Sequence, residues 1–254
     1  MTGIDSATPE QPAPGEAVTP EGLVSAVVNL VHTGPVPLGA YTIAELTAVD
    51  AVVDFLEARP SDEVLAEAVR SLAARQLLLA GAGADQIQVR GDLGIAVAFQ
   101  QRARMVLDAR TTGTAPGEAW RILVLPQPEQ ICVIVRIDAL GVHEISLRTL
   151  DDTLGIIAEW LPRGPWAEPG PDTDADAILA GAERSALLTA VHYTAIGSAE
   201  IAGASTDLVL ARHDGRLHAF ARDPQQRTRL TPAPGRRKDL RDTVAALLNS
   251  QPKP

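Results

Sequence analysis

One cysteine, Cys132, stands in the 254 residues, so an intramolecular disulfide and a cysteine-rich metal centre are both excluded. Aromatic residues are scarce at 3%, yet 46% of the chain is hydrophobic, which supplies a core and rules out a disordered protein. Basic residues are outnumbered, 22 Lys and Arg against 32 Asp and Glu, for a formal charge of -10. That balance argues against a general nucleic-acid binder, whose affinity comes from cations neutralising phosphates. Long apolar runs are missing too. Stretches such as residues 131–135 are strand-sized, far below the roughly 18 residues that span a bilayer. No basic segment followed by an apolar one opens the sequence. The expectation is a cytoplasmic protein without membrane insertion.

What is present divides the chain into a tail, a helical part and two sheet-bearing units. Residues 1–20 hold Pro9, Pro12, Pro14 and Pro20 among small polar residues and read as a flexible tail. The apolar stretch 23–31 fits helix and strand equally well. Gly34-Pro35 and Pro37 then mark a turn. Thr42 with Glu45 makes a capping box for a helix that must stop near Ala58, before Pro60. Ser61 caps a second helix, expected to end at Gly81-Ala82-Gly83, and a third runs from about Asp92 to Arg102.

From residue 105 the pattern becomes β-branched and aliphatic. Segments 105–109, 120–125 and 131–137, with a weaker one at 144–147, read as an antiparallel meander followed by a helix starting at Thr149 or Asp151. Pro162, Pro165, Pro169 and Pro171 make 163–175 a stiff linker between a first unit (21–162) and a second (176–249). After it the order returns: a helical opening at 176–185, strands near 187–194 and 208–211, an Asp214-Gly215 hairpin turn, a strand at 217–221 and a helix at 237–248. Residues 102–113 lie over 186–197, Ile122-Leu123-Val124 over Leu208-Val209-Leu210, and Arg136 over Arg222. Leu150-Asp151-Asp152-Thr153-Leu154 lies over Leu240-Arg241-Asp242-Thr243-Val244, the spacing between copies widening along the chain. The fold class expected is α+β, with two related antiparallel-sheet-plus-helix halves about a pseudo-twofold axis and an N-terminal helical segment.

Catalytic signatures are sparse. His32, His143, His192, His213 and His218 form no H-E-x-x-H pair, and no G-x-S-x-G, S-x-x-K or Walker loop occurs. Gly81-Ala82-Gly83 opens like a dinucleotide loop, but Gln86 replaces the third glycine and the loop follows a helix. Cys132 lies mid-strand and reads as a small buried hydrophobe. Asp172, Asp174, Asp176 and Glu183 match positions 1, 3, 5 and 12 of a calcium loop, but Ala177 stands where the turn glycine belongs. An acidic N-cap for a helix starting near Ala175 is the preferred reading. No catalytic residue, cofactor or metal ligand is therefore assigned. A winged helix formed by the second helix and strands near 87–89 is the DNA-binding alternative, weakened by Asp62, Glu63 and Glu67 on that helix.

The order of elements, with LAEAVRSLAARQLL (residues 65–78), LDDTLGIIAEWLP (150–162) and LRDTVAALL (240–248), resembles the EspG family of actinobacterial type VII (ESX) secretion systems. The resemblance covers residues 38–248. The His213-Asp214-Gly215-Arg216 hairpin and closing helix are similar to the family's C-terminal end, with Leu217 where an aromatic residue is common. It implies a cytosolic chaperone, not an enzyme, that binds the apolar tip of PPE proteins within PE–PPE pairs and keeps them soluble until export. Such a protein needs a patch that covers a client's apolar tip, while net charge keeps it in solution. Two regions are the candidate contacts: Thr112, Thr114 and Trp120 around the polar loop 111–119, and Arg237, Leu240, Arg241 and Val244 on the closing helix, within a basic island. A non-catalytic adaptor for another client, or a homodimer through exposed sheet edges, is the competing expectation.

Overall fold

The computed structural model describes residues 20–50, 60–80, 87–168, 173–196, 199–222, 229–233 and 239–249. Most of the expected tail, and Arg237 with the basic residues beside it, lie outside them.

The ambiguous apolar stretch is a helix, α1 (Pro20–Val31), which buries Val27 and Val31. A strand, β1 (Val36–Thr42), runs where the prolines pointed to a turn. Pro37 is tolerated because β1 is the outermost strand and shifts register between Pro37 and Gly39. The capping box forms as expected at α2 (Ile43–Ala48): the Glu45 N–H donates to Thr42 Oγ1 at 3.2 Å and the Thr42 N–H to Glu45 Oε2 at 2.9 Å. The helix ends at Ala48 and not near Ala58, with Asp50 in the left-handed region at φ 53. Ser61 caps α3 (Asp62–Ala74), which stops well before Gly81. Gln76 at φ 60 turns the chain, and β2 (Leu78–Ala80) pairs antiparallel with β3 (Ile87–Val89). The apolar run at 77–80 is thus the first arm of a hairpin, which corrects the helix C-cap expected at the glycines. The third helix, α4 (Gly91–Arg102), lies where the sequence placed it.

The first meander comprises β4 (Met105–Thr111), β5 (Arg121–Pro126), β6 (Ile131–Ile137) and β7 (Val142–Thr149), closed by α5 (Leu150–Trp160). After α6 (Ala175–Ala180), shorter than the helical opening expected, come β8 (Arg184–Ile196), β9 (Ala199–His213), β10 (Arg216–Arg222), β11 (Leu230–Pro232) and α7 (Leu240–Leu248). All but β2 and β3 join one antiparallel sheet in the order β1-β7-β6-β5-β4-β8-β9-β10-β11. The class is therefore mixed helix and antiparallel sheet. The proline-rich connection does not interrupt it, because β4 pairs with β8 from Met105↔His192 to Thr111↔Ala186.

The sheet is covered on both faces. Leu107, Ala109, Ile122, Val124, Cys132, Ile134, Ala186, Leu188, Leu210 and Leu217 pack on one side with Leu154 and Ile157 of α5 and Val244 and Leu247 of α7. On the other, Val106, Leu123, Val133, Val135 and Leu147 pack with residues of α1 to α4, and Val209 and Phe220 lie under α6. These alternations correct two of the correspondences between halves. Laying 102–113 on 186–197 puts Leu107 on Val191, and Arg136 on Arg222 likewise joins residues from opposite faces, since successive residues of a strand alternate sides. The matches of 122–124 with 208–210 and of α5 with α7 keep their faces.

Candidate interaction surface

The polar loop after β4 is tied down at several points. The Thr112 N–H donates to the Ser185 carbonyl at 2.9 Å, and the two hydroxyls of Thr112 and Ser185 lie 2.9 Å apart. Glu118 receives both ends of the Arg184 guanidinium, at 3.1 and 2.5 Å, while its other neighbour, the Ala115 N–H, donates to Oε2 at 3.0 Å. The hydrogen bonds from Arg184 hold the Glu118 carboxyl below its ordinary pKa, against a smaller upward push from burial. Bidentate charge-assisted pairs of this kind fix geometry as well as adding energy. Thr112 is exposed and Thr114 half-buried, both on an ordered ledge.

Trp120 lies beyond that ledge, 36% exposed, its indole N–H donating to the Asp138 carbonyl at 2.9 Å. Asp138 Oδ1 also accepts from the N–H groups of Leu140 and Val142, at 2.8 and 2.9 Å. This locked turn, completed by Gly141 at φ 76, holds Leu140 out with 88% of its surface exposed. Sequence reasoning missed Leu140; the signal was Asp138 and Gly141 bracketing an apolar residue, a turn whose tip cannot be buried.

At the closing helix the expected residues divide. Val244 is fully buried in the core, so it is not a contact residue: the apolar stripe of α7 is spent on the sheet. Leu240 and Arg241 line a cavity of 550 Å³ with Ala158 and Glu159 of α5, Asp239, Leu217 and the strap of residues 163–166. Arg241 is ion-paired with Asp151. The strap follows β10: the Leu217 N–H donates to the Pro165 carbonyl and the Ala167 N–H to the Leu217 carbonyl, each at 2.9 Å. Only glycine fits at 164, where a Cβ would stand 2.8 Å from the Gly215 carbonyl oxygen.

A second cavity, of 350 Å³, shares Glu159 and Arg163 with the first and is lined also by Gly113, Glu118, Glu183, Arg184 and Arg212. Of the residues singled out from sequence, Leu240 and Arg241 line the first cavity, while Thr112, Thr114 and Trp120 line neither; the 111–119 loop reaches the second only through Gly113 and Glu118. Arg163 sits between them, donating to the Glu159 carbonyl at 2.6 and 3.1 Å, a cation closing the C-terminus of α5. Arg212 pairs with Glu183 at 2.9 Å, and Glu183 also accepts from the Gly215 N–H at 3.2 Å. Glu183 is thereby committed to the β9–β10 turn, where Asp214 and Gly215 take φ 50 and 69 as a two-residue hairpin of that sequence requires. Asp174 caps α6, accepting from the Asp176 and Ala177 N–H groups at 3.0 and 3.2 Å, as the N-cap reading required; Asp172 lies outside the described residues.

Arg184, Arg212 and Arg241 at this surface are each paired with a carboxylate, Glu118, Glu183 and Asp151 in turn. Cys132 lies in the core, where burial pushes its thiol up to about 12 against a smaller downward influence of the neighbouring Thr153 hydroxyl. Burial likewise lowers the pKa of His143 and His218. On α3, Arg70 pairs with Glu67 and Arg75 with Glu45, which leaves that helix an acidic face and weakens the DNA-binding alternative. No protein-family model and no curated protein matches the chain.

Proposed function

We propose that the protein is a non-catalytic chaperone of the EspG type, holding a PE–PPE-type pair by the apolar tip of its PPE partner in the cytoplasm before type VII export. The reading is carried by the way the sheet order reads outward from the β4–β8 pair: a meander and a closing helix on each side. That order supports a pseudo-twofold relation between halves, the architecture expected from the resemblance. With Val124 laid on Leu210, the ladders carry the equivalence outward. Leu107, the partner of Val124, falls on Ala186, the partner of Leu210, and Ile134 falls on Ala219. All six pack toward α5 and α7.

The closing helices repeat their polar detail as well. Thr149 Oγ1 accepts from the Asp152 N–H at 3.1 Å, and Asp239 Oδ1 from the Asp242 N–H at 2.7 Å. Thr153 and Thr243 each donate to the carbonyl of the capping residue at 2.8 Å. The Asp151–Arg241 ion pair joins equivalent positions of the two helices, as contacts near a twofold axis do.

On this reading Trp120 and Leu140 offer the client apolar anchors beside a rim of paired charges, the composition of a protein-binding patch. The test is co-expression with a PE–PPE pair from the same genome, followed by size-exclusion chromatography. One copy of each chain should co-elute, with the PPE partner soluble only when this protein is present. A PPE partner whose solubility and elution ignore this protein overturns the proposal, and capture of some other client from native cytosol favours the generic adaptor.

A further inference from the structure

Two opposite charges at the end of α5 are left unused by the fold. Glu159 and Arg163 are four residues apart, a spacing at which a carboxylate and a guanidinium pair on a continuing helix. Arg163 instead donates from Nε and one terminal nitrogen to the Glu159 backbone carbonyl, at 3.1 and 2.6 Å. Among the described residues its other terminal nitrogen has no partner, nor has the Glu159 carboxylate. The remaining charged members of the 550 Å³ cavity are committed: Arg241 pairs with Asp151, and Asp239 caps α7. Glu159 and Arg163 therefore bring one free negative and one free positive charge to the same cavity. Most of its other lining is apolar. Leu217 is 1% exposed, Ala158, Trp166 and Leu240 are half-buried, and Glu159 and Arg163 are exposed. The free charges thus stand toward solvent and the apolar groups toward the interior. The strap that carries Trp166 is pinned to β10 by the two backbone bonds to Leu217, so this wall is preformed.

We propose that this cavity binds a free α-amino acid with an aliphatic or aromatic side chain. The ligand carboxylate takes the unused N–H groups of Arg163, its ammonium takes the Glu159 carboxylate, and its side chain points past Trp166 and Leu240 toward Leu217. Charge-assisted hydrogen bonds at both ends fix its orientation. The volume lies within the roughly 300–1,000 Å³ of small-ligand sites. Because the two free charges cancel, a ligand that carries both signs on one carbon satisfies the site, whereas an acid or an amine leaves one charge unanswered. An internal peptide segment lacks that pair. The assignment is independent of the client, and either can fail alone.

Isothermal titration with phenylalanine, 3-phenylpropionate (no ammonium) and phenethylamine (no carboxylate) tests this on the unaltered protein. Phenylalanine should saturate a single site, roughly tenfold or more tighter than either truncated compound. Glu159→Gln should bring phenylalanine down to the affinity of 3-phenylpropionate without weakening that acid. Arg163→Gln should bring it down to the affinity of phenethylamine, again without weakening the amine. Binding should change the tryptophan emission, and Trp166→Phe should abolish that change. Arg70→Gln, at an exposed position of α3, should alter nothing. Equal binding of the three compounds, no saturation up to roughly 10 mM phenylalanine, or an affinity indifferent to both charge variants overturns the proposal.

Discussion

Asp108→Asn is the substitution whose cost the structure fixes most tightly. Asp108 of β4 and Arg121 of β5 are diagonal neighbours, Asp108 facing Leu123 and Arg110 facing Arg121, with side chains 5% and 7% exposed, and Arg121 donates from Nε to Oδ1 at 2.8 Å and from a terminal nitrogen to Oδ2 at 3.0 Å. Arg110 adds a second guanidinium on Oδ2, at 2.9 and 3.1 Å, but its side chain is 39% exposed. Removing one partner of a buried pair costs about 3–5 kcal/mol, because the remaining charge stays desolvated. Asp108→Asn does this while keeping the volume. At about 2–4 °C per kcal/mol for a chain of this size, the melting temperature should fall by roughly 6–20 °C. Arg110→Ala, a mostly solvated partner, should cost less than about 1 kcal/mol. Replacing both charges, with Asp108→Leu and Arg121→Met, should recover much of the loss, since an apolar pair avoids the desolvation. Urea unfolding followed by circular dichroism measures these three, with Asp108→Leu and Arg121→Met alone as the single variants. A cost below 1 kcal/mol for Asp108→Asn, or a double variant worse than the sum of the singles, would refute the assignment of Asp108 as the anchor of a buried charge pair.

Burial alone would raise the pKa of Glu45, but the Thr42 N–H, the Ser71 hydroxyl and Arg75 outweigh it and hold the carboxyl below 4.5. The stability it contributes is therefore complete above the unfolded value and lost as pH falls through the folded one, so the melting temperature should drop below pH 4.5 and Glu45→Gln should flatten that limb; identical slopes would be contrary to this assignment. Gly164→Ala should cost about 1–3 kcal/mol in urea unfolding, because its Cβ meets backbone and not a movable side chain. Thr149→Ala and Asp239→Ala should each cost about 0.5–2 kcal/mol, and a cap with no measurable cost would deny their equivalence. Cys132 should resist a thiol reagent at pH 8 until the protein unfolds, with immediate labelling as the contrary result.

What the sequence made legible was local chemistry strong enough to decide an element by itself. Thr42 with Glu45, Ser61, Thr149 and Asp174 all cap helices, Asp214-Gly215 turns the hairpin, and the aliphatic segments of the first meander are strands. Elements decided by their neighbours were not legible. β1 contains two features that discourage a strand, Pro37 and Gly39, and exists because β7 offers a partner on one side only. Leu78 to Ala80 continues the apolar run of α3 and reads as helix until Gln76 reverses the chain and β3 pairs with it. The first half of β9 is mostly alanine, glycine and serine, of low strand propensity, and only its pairing with β8 makes it extended.

The same distinction explains the contact residues. On a short amphipathic helix the apolar stripe and a partner-binding stripe have one signature, and burial decides between them. In α7 the core takes Val244 and Leu247, and what remains for a partner is the first turn, where Leu240 is half-buried and Arg241 reaches Asp151. On α5, Leu150 packs on the same core cluster as Leu240, and Asp151 is the partner of Arg241. A client seated there would meet both α5 and α7, whereas one seated at Trp120 and Leu140 would meet only the first meander. Loss of binding on Leu140→Ser with no effect of Arg241→Ala would therefore place the client on the meander tip; the reverse would place it on the helix seam. Neither substitution should shift stability by more than about 0.5 kcal/mol, because both sites are solvated.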